Sequence, residues 1–316
     1  MKTLKLQKAV SAALQRRNTP VLVTGAGGWL GRAALEMLDY ALGDNFSAQV
    51  LAFGRREREL SLRSGRIIRA RPLREIADLA LENPLILHFA FLTREHANQM
   101  ALEEYVQENQ KISALLQGFI QRNGAMGVFS PSSGAVYAGT DITQNPYGAL
   151  KYADEAAFGQ LAQTLGFPVV RMRIFNLSGP FINKLNSYAL ACIIQALLKG
   201  QKVVLRAAHP VWRGYAHVGD VLNIALGCLL KNMDAEPFDS AGEALEIGDL
   251  ARRAGALLNR NVEILRPPWQ HGIADKYVGD SRAFARHAQL AGVVLSPLDQ
   301  QILDTADYIR ALTPPG

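Results

Sequence analysis

Two cysteines, Cys192 and Cys228, are all that 316 residues provide. Each lies in an apolar run with helical character, Ala189–Ile194 and Ala225–Leu230, so they read as small core residues. A disulfide framework and a cysteine metal site are thereby excluded. The six histidines show no ligand spacing of the H-x-x-x-H kind, so no metal site is expected. No apolar stretch approaches the ~20 residues of a membrane span. The N-terminus has no continuous apolar core followed by a cleavage site, so no signal peptide is read and a cytoplasmic protein is expected. A basic run interleaved with aromatics is also missing, which argues against nucleic acid as the partner of the +6 formal charge. A ligand carrying several phosphates accounts for that excess equally well.

At 49% hydrophobic and 20% charged, the composition is that of a globular protein with a sizeable core. Residues 1–19 carry Leu4, Val10, Ala13 and Leu14 at the spacing of a short amphipathic helix leading into the first strand. Pro20–Thr24 is a buried-strand run. It enters Gly25-Ala26-Gly27-Gly28-Trp29-Leu30-Gly31, and Arg32–Leu38 is helical. Strand, glycine turn and helix in this order point to dinucleotide binding. Gly25 allows the tight turn, Gly28 lets backbone N–H groups approach a pyrophosphate, and Gly31 lets the helix pack on the strand.

Strands are expected at Ala48–Gly54, Arg66–Ala70, Pro84–Phe91 and Val169–Asn176, and Gly127–Tyr137 is read as a further strand with its exit. Helices are expected at Leu73–Leu81, Glu103–Gln121 and Tyr147–Leu165. The alternation predicts an α/β protein with a doubly wound parallel sheet. Where the second strand ends, an acidic residue would suit the ribose hydroxyls of NAD. The chain has Arg55 and Arg56 instead, which suit the 2′-phosphate of NADP, unless Glu57 and Glu59 merely pair with them in a solvated turn. His88, in the apolar run Pro84–Phe91, reads as a satisfied core histidine.

Tyr147 and Lys151 lie four residues apart at the start of a helix and so share a face. A cation beside a phenol lowers its pKa from roughly 10, which fits a general acid or base near neutrality. The pair alone is also what a surface tyrosine beside a solvated lysine would look like.

Together these residues resemble the extended short-chain dehydrogenase/reductases, the NAD-dependent epimerase/dehydratase family. Thr24–Gly31 fits T-G-x-x-G-x-x-G, Ser132–Tyr137 fits S-S-x-x-V-Y, and Tyr147 with Lys151 fits Y-x-x-x-K. Arg173–Pro180 fits R-x-x-N-x-x-G-P, Arg213–Asp220 fits R-x-Y-x-H-V-x-D, and Tyr277–Ala283 looks like Y-x-x-D-x-x-K/R-A.

The resemblance implies a Rossmann-type domain over 20–180, with 213–232 returning to it, and a smaller α/β substrate lobe from 181–212 and 233–316. It implies a catalytic set of Ser133, Tyr147 and Lys151. Gly25, Gly28, Trp29, Leu30, Arg55, Arg56 and Ala90, together with Tyr147 and Lys151, would contact the cofactor, NADP or possibly NAD. Ser132, Ser133, Asn176 and Arg213, with Arg266 less cleanly aligned, would meet the substrate. The implied reaction is hydride transfer on a nucleoside-diphosphate sugar by an epimerase or 4-keto reductase, and a homodimer paired through the helices at 103–121 and 147–165. The Thr-Asp-Glu of 4,6-dehydratases is replaced by Ser133-Gly134-Ala135, which disfavours dehydration. Arg69-Ala70-Arg71 stands where an adenine-contacting aspartate is usual. A reductase of a non-nucleotide ketone or alcohol and a non-catalytic dinucleotide sensor are the competing readings.

Overall fold

The computed structural model describes residues 4–270 and 272–312. The first residues of the expected leader and the last of the expected lobe lie outside that range. The leader helix α1 (Lys8–Arg17) buries Val10 and Leu14, and Leu4 and Leu6 before it are buried as well. Its N-terminal flank is tied into the chain's other end: Gln7 N–H donates to Asn223 Oδ1 at 2.7 Å, and the Gln7 amide exchanges hydrogen bonds with the Val294 backbone at 2.8 and 2.9 Å.

The central strands of the main sheet form from short apolar runs that are buried on both faces, as parallel strands require, while two strands at one edge are partly exposed. In chain order the strands of this sheet are β1 (Val21–Thr24), β2 (Val50–Gly54), β3 (Arg58–Ser61), β4 (Ile67–Pro72), β5 (Leu85–His88), β6 (Gly127–Phe129) and, after β7 (Ser132–Ser133), β8 (Val169–Val170). The order across the sheet is β3-β4-β2-β1-β5-β6-β8, and every neighbouring pair is parallel except β3–β4. Between them run α2 (Trp29–Leu42), α3 (Phe46–Gln49), α4 (Arg94–Ala97), α5 (Leu102–Asn123) and α6 (Pro146–Leu165). The strand order reverses between β1 and β5, so ligand-binding loops gather beyond the carboxyl ends of those strands.

The remainder comprises β9 (Met172–Ile174), β10 (Asn176–Ser178), α7 (Ala189–Leu198), β11 (Val203–Val204), β12 (Val211–His217), α8 (Val218–Leu230), β13 (Phe238–Asp239), β14 (Ala244–Glu246), α9 (Ile247–Leu257), β15 (Ile264–Leu265), β16 (Asp275–Tyr277), α10 (Ser281–Ala291) and α11 (Leu298–Leu312). Strand β12 pairs with β10, β14 and β16, while β9 lies between β7 and β13. Helix α8 is buried along its length and packs on β6 and β8.

Three expectations change. The single strand expected over Val169–Asn176 is three strands in three sheets: β8 stays in the main sheet, and β9 and β10 leave it. The break falls at Arg171, whose guanidinium donates to Ala235 O at 3.0 Å and carries the chain toward β13. The stretch after Arg56 is no free turn, because β3 adds an antiparallel edge to β4. The helix expected over Leu73–Leu81 is a 3₁₀ segment over Leu73–Asp78.

Candidate active site

Gly25 has φ +64°, and a Cβ there would stand 2.4 Å from Phe89 C, so β1 turns tightly against the exit of β5. A Cβ on Gly31 would fall 2.3 Å from Gly25 O, so only glycine lets α2 press on the turn. Gly28 would meet nothing closer than Gly25 O at 3.3 Å, leaving its outer side open to a ligand. Helix α2 starts directly at Trp29 with no acidic residue in its first turn, and its free N–H groups and dipole suit a phosphate. Trp29 spends its indole N–H on Pro180 O at 2.7 Å, which pins the turn to the loop after β10. Leu30 follows it in the first turn of α2, and Ala90 lies on the other side: its N–H donates to Thr24 Oγ1 at 3.1 Å. These residues fit a dinucleotide.

Thr24 Oγ1 also lies 2.8 Å from His88 Nδ1. With the Thr24 oxygen accepting from Ala90, its proton goes to Nδ1. The His88 Nε2–H then has no hydrogen-bond partner among the described residues and faces the Phe158 ring, centroids 5.5 Å apart. Burial first, and the Lys151 charge second, hold this imidazole down at about 3, so it is neutral.

Glu57 pairs with Arg69 at 2.7 Å, not with Arg55 or Arg56. Neither Arg55 nor Arg56 has a carboxylate within 4.0 Å among the described residues. The arginine laid on the glycine turn itself is Arg58, which motif reasoning missed. A Cβ on Gly27 would fall 0.9 Å from Arg58 Nη2, so the guanidinium fills that residue's side-chain space. The available signal was the bare Gly27; the alternating charges of Arg55–Glu59 hid the strand that delivers Arg58.

At the other end of the turn, β7 carries Ser133 and α6 opens at Pro146. Asn145 caps that helix: its side chain accepts from Gly148 N–H at 3.2 Å and donates to Ala135 O at 2.8 Å and Gly139 O at 2.7 Å. The cap thereby joins the helix bearing Tyr147 to the loop bearing Ser133. Ser133 Oγ lies 3.5 Å from the Tyr277 hydroxyl, and the Tyr147 ring stands edge-on to Phe91 at 5.8 Å. Burial pushes the Tyr147 phenol up to about 12, with the Ser133 hydrogen bond pulling the other way. This corrects the expected depression by lysine. Lys151 Nζ instead donates to Pro131 O at 2.9 Å and sits 3.7 Å above the Phe91 ring, and burial brings it down to about 8. The desolvation of both groups outweighs their spacing.

Ser133, Tyr147, Asn176, Arg213 and Tyr277 line one cleft of about 1050 Å³. Asn176 donates from Nδ2 to Gly214 O at 3.1 Å and Tyr277 O at 3.2 Å. Ser132 does not line the cleft; its Oγ is buried without a hydrogen-bond partner among the described residues. Arg213 Nη2 lies 2.6 Å from Asp275 Oδ2. Arg266 is outside the cleft wall, 2.6 Å from Glu246 Oε1 and over the Trp269 ring at 4.8 Å. One wall is braced by Arg173, which grips Glu155 through two bonds of 2.9 and 2.8 Å and donates to the Tyr137 hydroxyl at 2.8 Å. That hydroxyl donates to Asp239 at 2.9 Å, and Asp239 accepts the Asp280 N–H at 3.0 Å. Among the described residues no cluster of His, Cys, Asp or Glu could hold a metal, and no helix is long and apolar enough to cross a membrane.

Several solved structures share the fold. A UDP-N-acetylglucosamine 4-epimerase from Methanobrevibacter ruminantium M1, in complex with UDP-N-acetylmuramic acid, is 19% identical with a TM-score of 0.69, covering 93% of this chain and 99% of that one. MoeE5 in complex with UDP-glucose and NAD is 22% identical with a TM-score of 0.69, covering 93% of this chain and 100% of its own. RMD from Pseudomonas aeruginosa, complexed with NADPH, is 20% identical with a TM-score of 0.69 and the same coverage of 93% and 100%. No curated protein sequence matches the chain. The family profile for the NAD dependent epimerase/dehydratase family matches residues 21–248, from the first strand through the start of α9. With its glycine turn, serine and tyrosine set on the sheet edge that this profile spans, the chain belongs to the NAD-dependent epimerase/dehydratase family.

Proposed function

We propose that the protein moves a hydride on a nucleoside-diphosphate sugar, as an epimerase or a 4-keto reductase, with Tyr147 as general acid and base. The observation that carries this reading is the meeting of Ser133 and Tyr147 in the wall of one cleft whose rim is tied to the glycine turn through Trp29. The nicotinamide, when bound, supplies the hydride acceptor or donor. The chain's own residues do the rest. At neutral pH the Tyr147 phenol, pushed up to about 12, holds its proton and is ready to donate to a developing alkoxide. Ser133 offers a second hydrogen bond to the reacting oxygen, and Asn176 lines the substrate side. Lys151 would exchange its Pro131 contact for the cofactor's ribose. Residues 181–212 and 233–316 would form the substrate lobe, and α5 and α6 would pair two subunits. The absence of any carboxylate within 4.0 Å of Arg55, Arg56 or Arg58 among the described residues supports NADP over NAD.

The test is a screen of UDP-, GDP- and dTDP-sugars with NADH or NADPH, run on the wild type and Tyr147→Phe. The variant should lose about 10²–10⁴-fold in turnover while binding cofactor normally. Undiminished turnover would sink the role given to Tyr147.

A second reading, a reductase of a ketone that has no nucleotide, has one observation in its favour. Both arginines considered for the diphosphate already have carboxylate partners, Asp275 and Glu246. A response to simple ketones and to none of the nucleotide sugars would favour it.

A further inference from the structure

The loops suited to a dinucleotide follow β1 and β5, which are register neighbours in the main sheet. One segment bridges the two. It leaves β10 after Ser178 and reaches α7 at Ala189 as an irregular loop. On the β1 side it is held by Trp29, the first residue of α2. The indole N–H donates to Pro180 O at 2.7 Å, and the ring packs on Tyr188 with centroids 5.3 Å apart. On the β5 side it is held by charge. Lys184 Nζ lies 2.5 Å from Glu95 Oε2 and donates to Thr93 Oγ1 at 3.3 Å. Thr93 Oγ1 in turn donates to the same Glu95 oxygen at 2.6 Å, which closes a triangle of three side chains. The Lys184 carbonyl accepts the N–H groups of Ser187 and Tyr188 at 3.0 and 3.2 Å, so a tight turn presents this lysine to the loop beyond β5.

Trp29, Thr93, Glu95, Lys184 and Tyr188 line the same cleft as Ser133 and Tyr147. The bridge therefore crosses between the glycine turn and the reacting groups. Its two ends are anchored in the core, since Phe181, Ile182 and Leu190 are buried. Residues 183–189 between them are half-buried or exposed. Lifting that stretch draws only partly buried side chains out of the protein, which marks it as a part that opens at low cost.

We propose that Lys184 and Glu95 form a latch that closes residues 183–189 over the crevice between β1 and β5, so that the dinucleotide enters and leaves only when the pair opens. The proposal rests on the dinucleotide site read at the glycine turn, whatever the substrate. A latch differs from a ligand contact in its kinetics. It stands in the path of entry and of exit, so breaking it speeds both and leaves their ratio, the affinity, almost unchanged. With side chains 27% and 47% exposed, the pair is worth about fivefold at most.

Stopped-flow fluorescence with NADPH and with NADH, in mixing and in displacement, tests it on the full chain. Lys184→Met and Glu95→Gln should each speed association and release by about three- to fivefold, with the Kd held within about twofold. The two changes together should do no more than either alone, because each removes the same pair. Both side chains are partly exposed, so the variants should fold, and unchanged melting temperatures would verify this. Rates unaltered in both variants overturn the latch. Faster release with unaltered association also overturns it, since that is the mark of a contact to the ligand. Failure of both nucleotides to bind the wild type overturns the dinucleotide reading beneath it.

Discussion

Arg58 and His88 show how much a single side chain is governed by what surrounds it. Arg58 covers Gly27 with no counter-charge within 4.0 Å, directly over the turn suited to a pyrophosphate. Replacing it by glutamine should weaken NADPH about tenfold or more and NADH far less, since only the former carries the extra phosphate. Fluorescence titration with the two nucleotides reads the difference; equal weakening of both would remove Arg58 from cofactor choice. His88 makes a prediction in pH. Its imidazole, at 6.5 when free, is held at about 3 in the fold. Between those values the unfolded chain binds the proton and the folded chain does not, so stability falls as pH drops through this window. The slope from this residue is at most about 1.4 kcal/mol per pH unit. Urea unfolding of wild type and His88→Gln from pH 7 to 4 measures it, and parallel slopes would refute the assignment. The apolar run Pro84–Phe91 put His88 in the core, but the satisfied histidine expected there is only half so: Nδ1 meets Thr24, and Nε2 has no hydrogen-bond partner among the described residues. The sequence misjudged Tyr147 and Lys151, because spacing on a helix says who is near whom and nothing about how dry the place is.

At the level of elements, the glycine turn was the most legible part. A strand, three spaced glycines and a helix can close in few ways, and the structure closes them as anticipated, with Gly31 against Gly25 O. Gly31→Ala would put a methyl 2.3 Å from that oxygen and 2.7 Å from Ala26 Cα. Backbone on both sides cannot yield without moving α2, so a loss of about 1–3 kcal/mol in stability and a large loss of dinucleotide affinity are expected. Calorimetric melting and NADH titration check the two effects, and a variant with native affinity would show that the turn tolerates a wider approach. The run Val169–Asn176 was the least legible. Its residues have uniform strand character, yet the partners of β8, β9 and β10 come from three distant parts of the chain, and no local pattern announces a change of sheet. For the same reason β3 escaped notice: with Leu60 its one buried residue, it lacks the apolar alternation that marks a strand.

For the whole molecule, the helices α5 and α6 leave a shallow recess bordered by Phe91, Gln110, Ala114, Ala153 and Ala157. Small residues there would let a second pair of helices approach closely in the proposed dimer, and Tyr152, 51% exposed, would be covered by it. Light scattering should give twice the chain's 34.5 kDa, and Ala114→Glu with Ala153→Glu should return the single-chain mass. A monomer in the wild type would refute the pairing. Fold class followed from the strand–helix alternation, since a parallel sheet is the form such a pattern can bury.

The ladder of β12 and β16 has one more consequence. Arg213 and Tyr277 are register partners in it, and Asn176 bonds to the carbonyls of both Gly214 and Tyr277. Strands so joined keep a spacing of about 4.8 Å whatever the rest of the chain does. The Arg213 cation and the Tyr277–Ser133 hydroxyl pair are therefore carried from neighbouring strands whose separation the ladder fixes. Under the proposed function, an entering molecule would be measured by the span between its anionic group and its reacting carbon, and one of the wrong length would not be accommodated by closing the cleft around it.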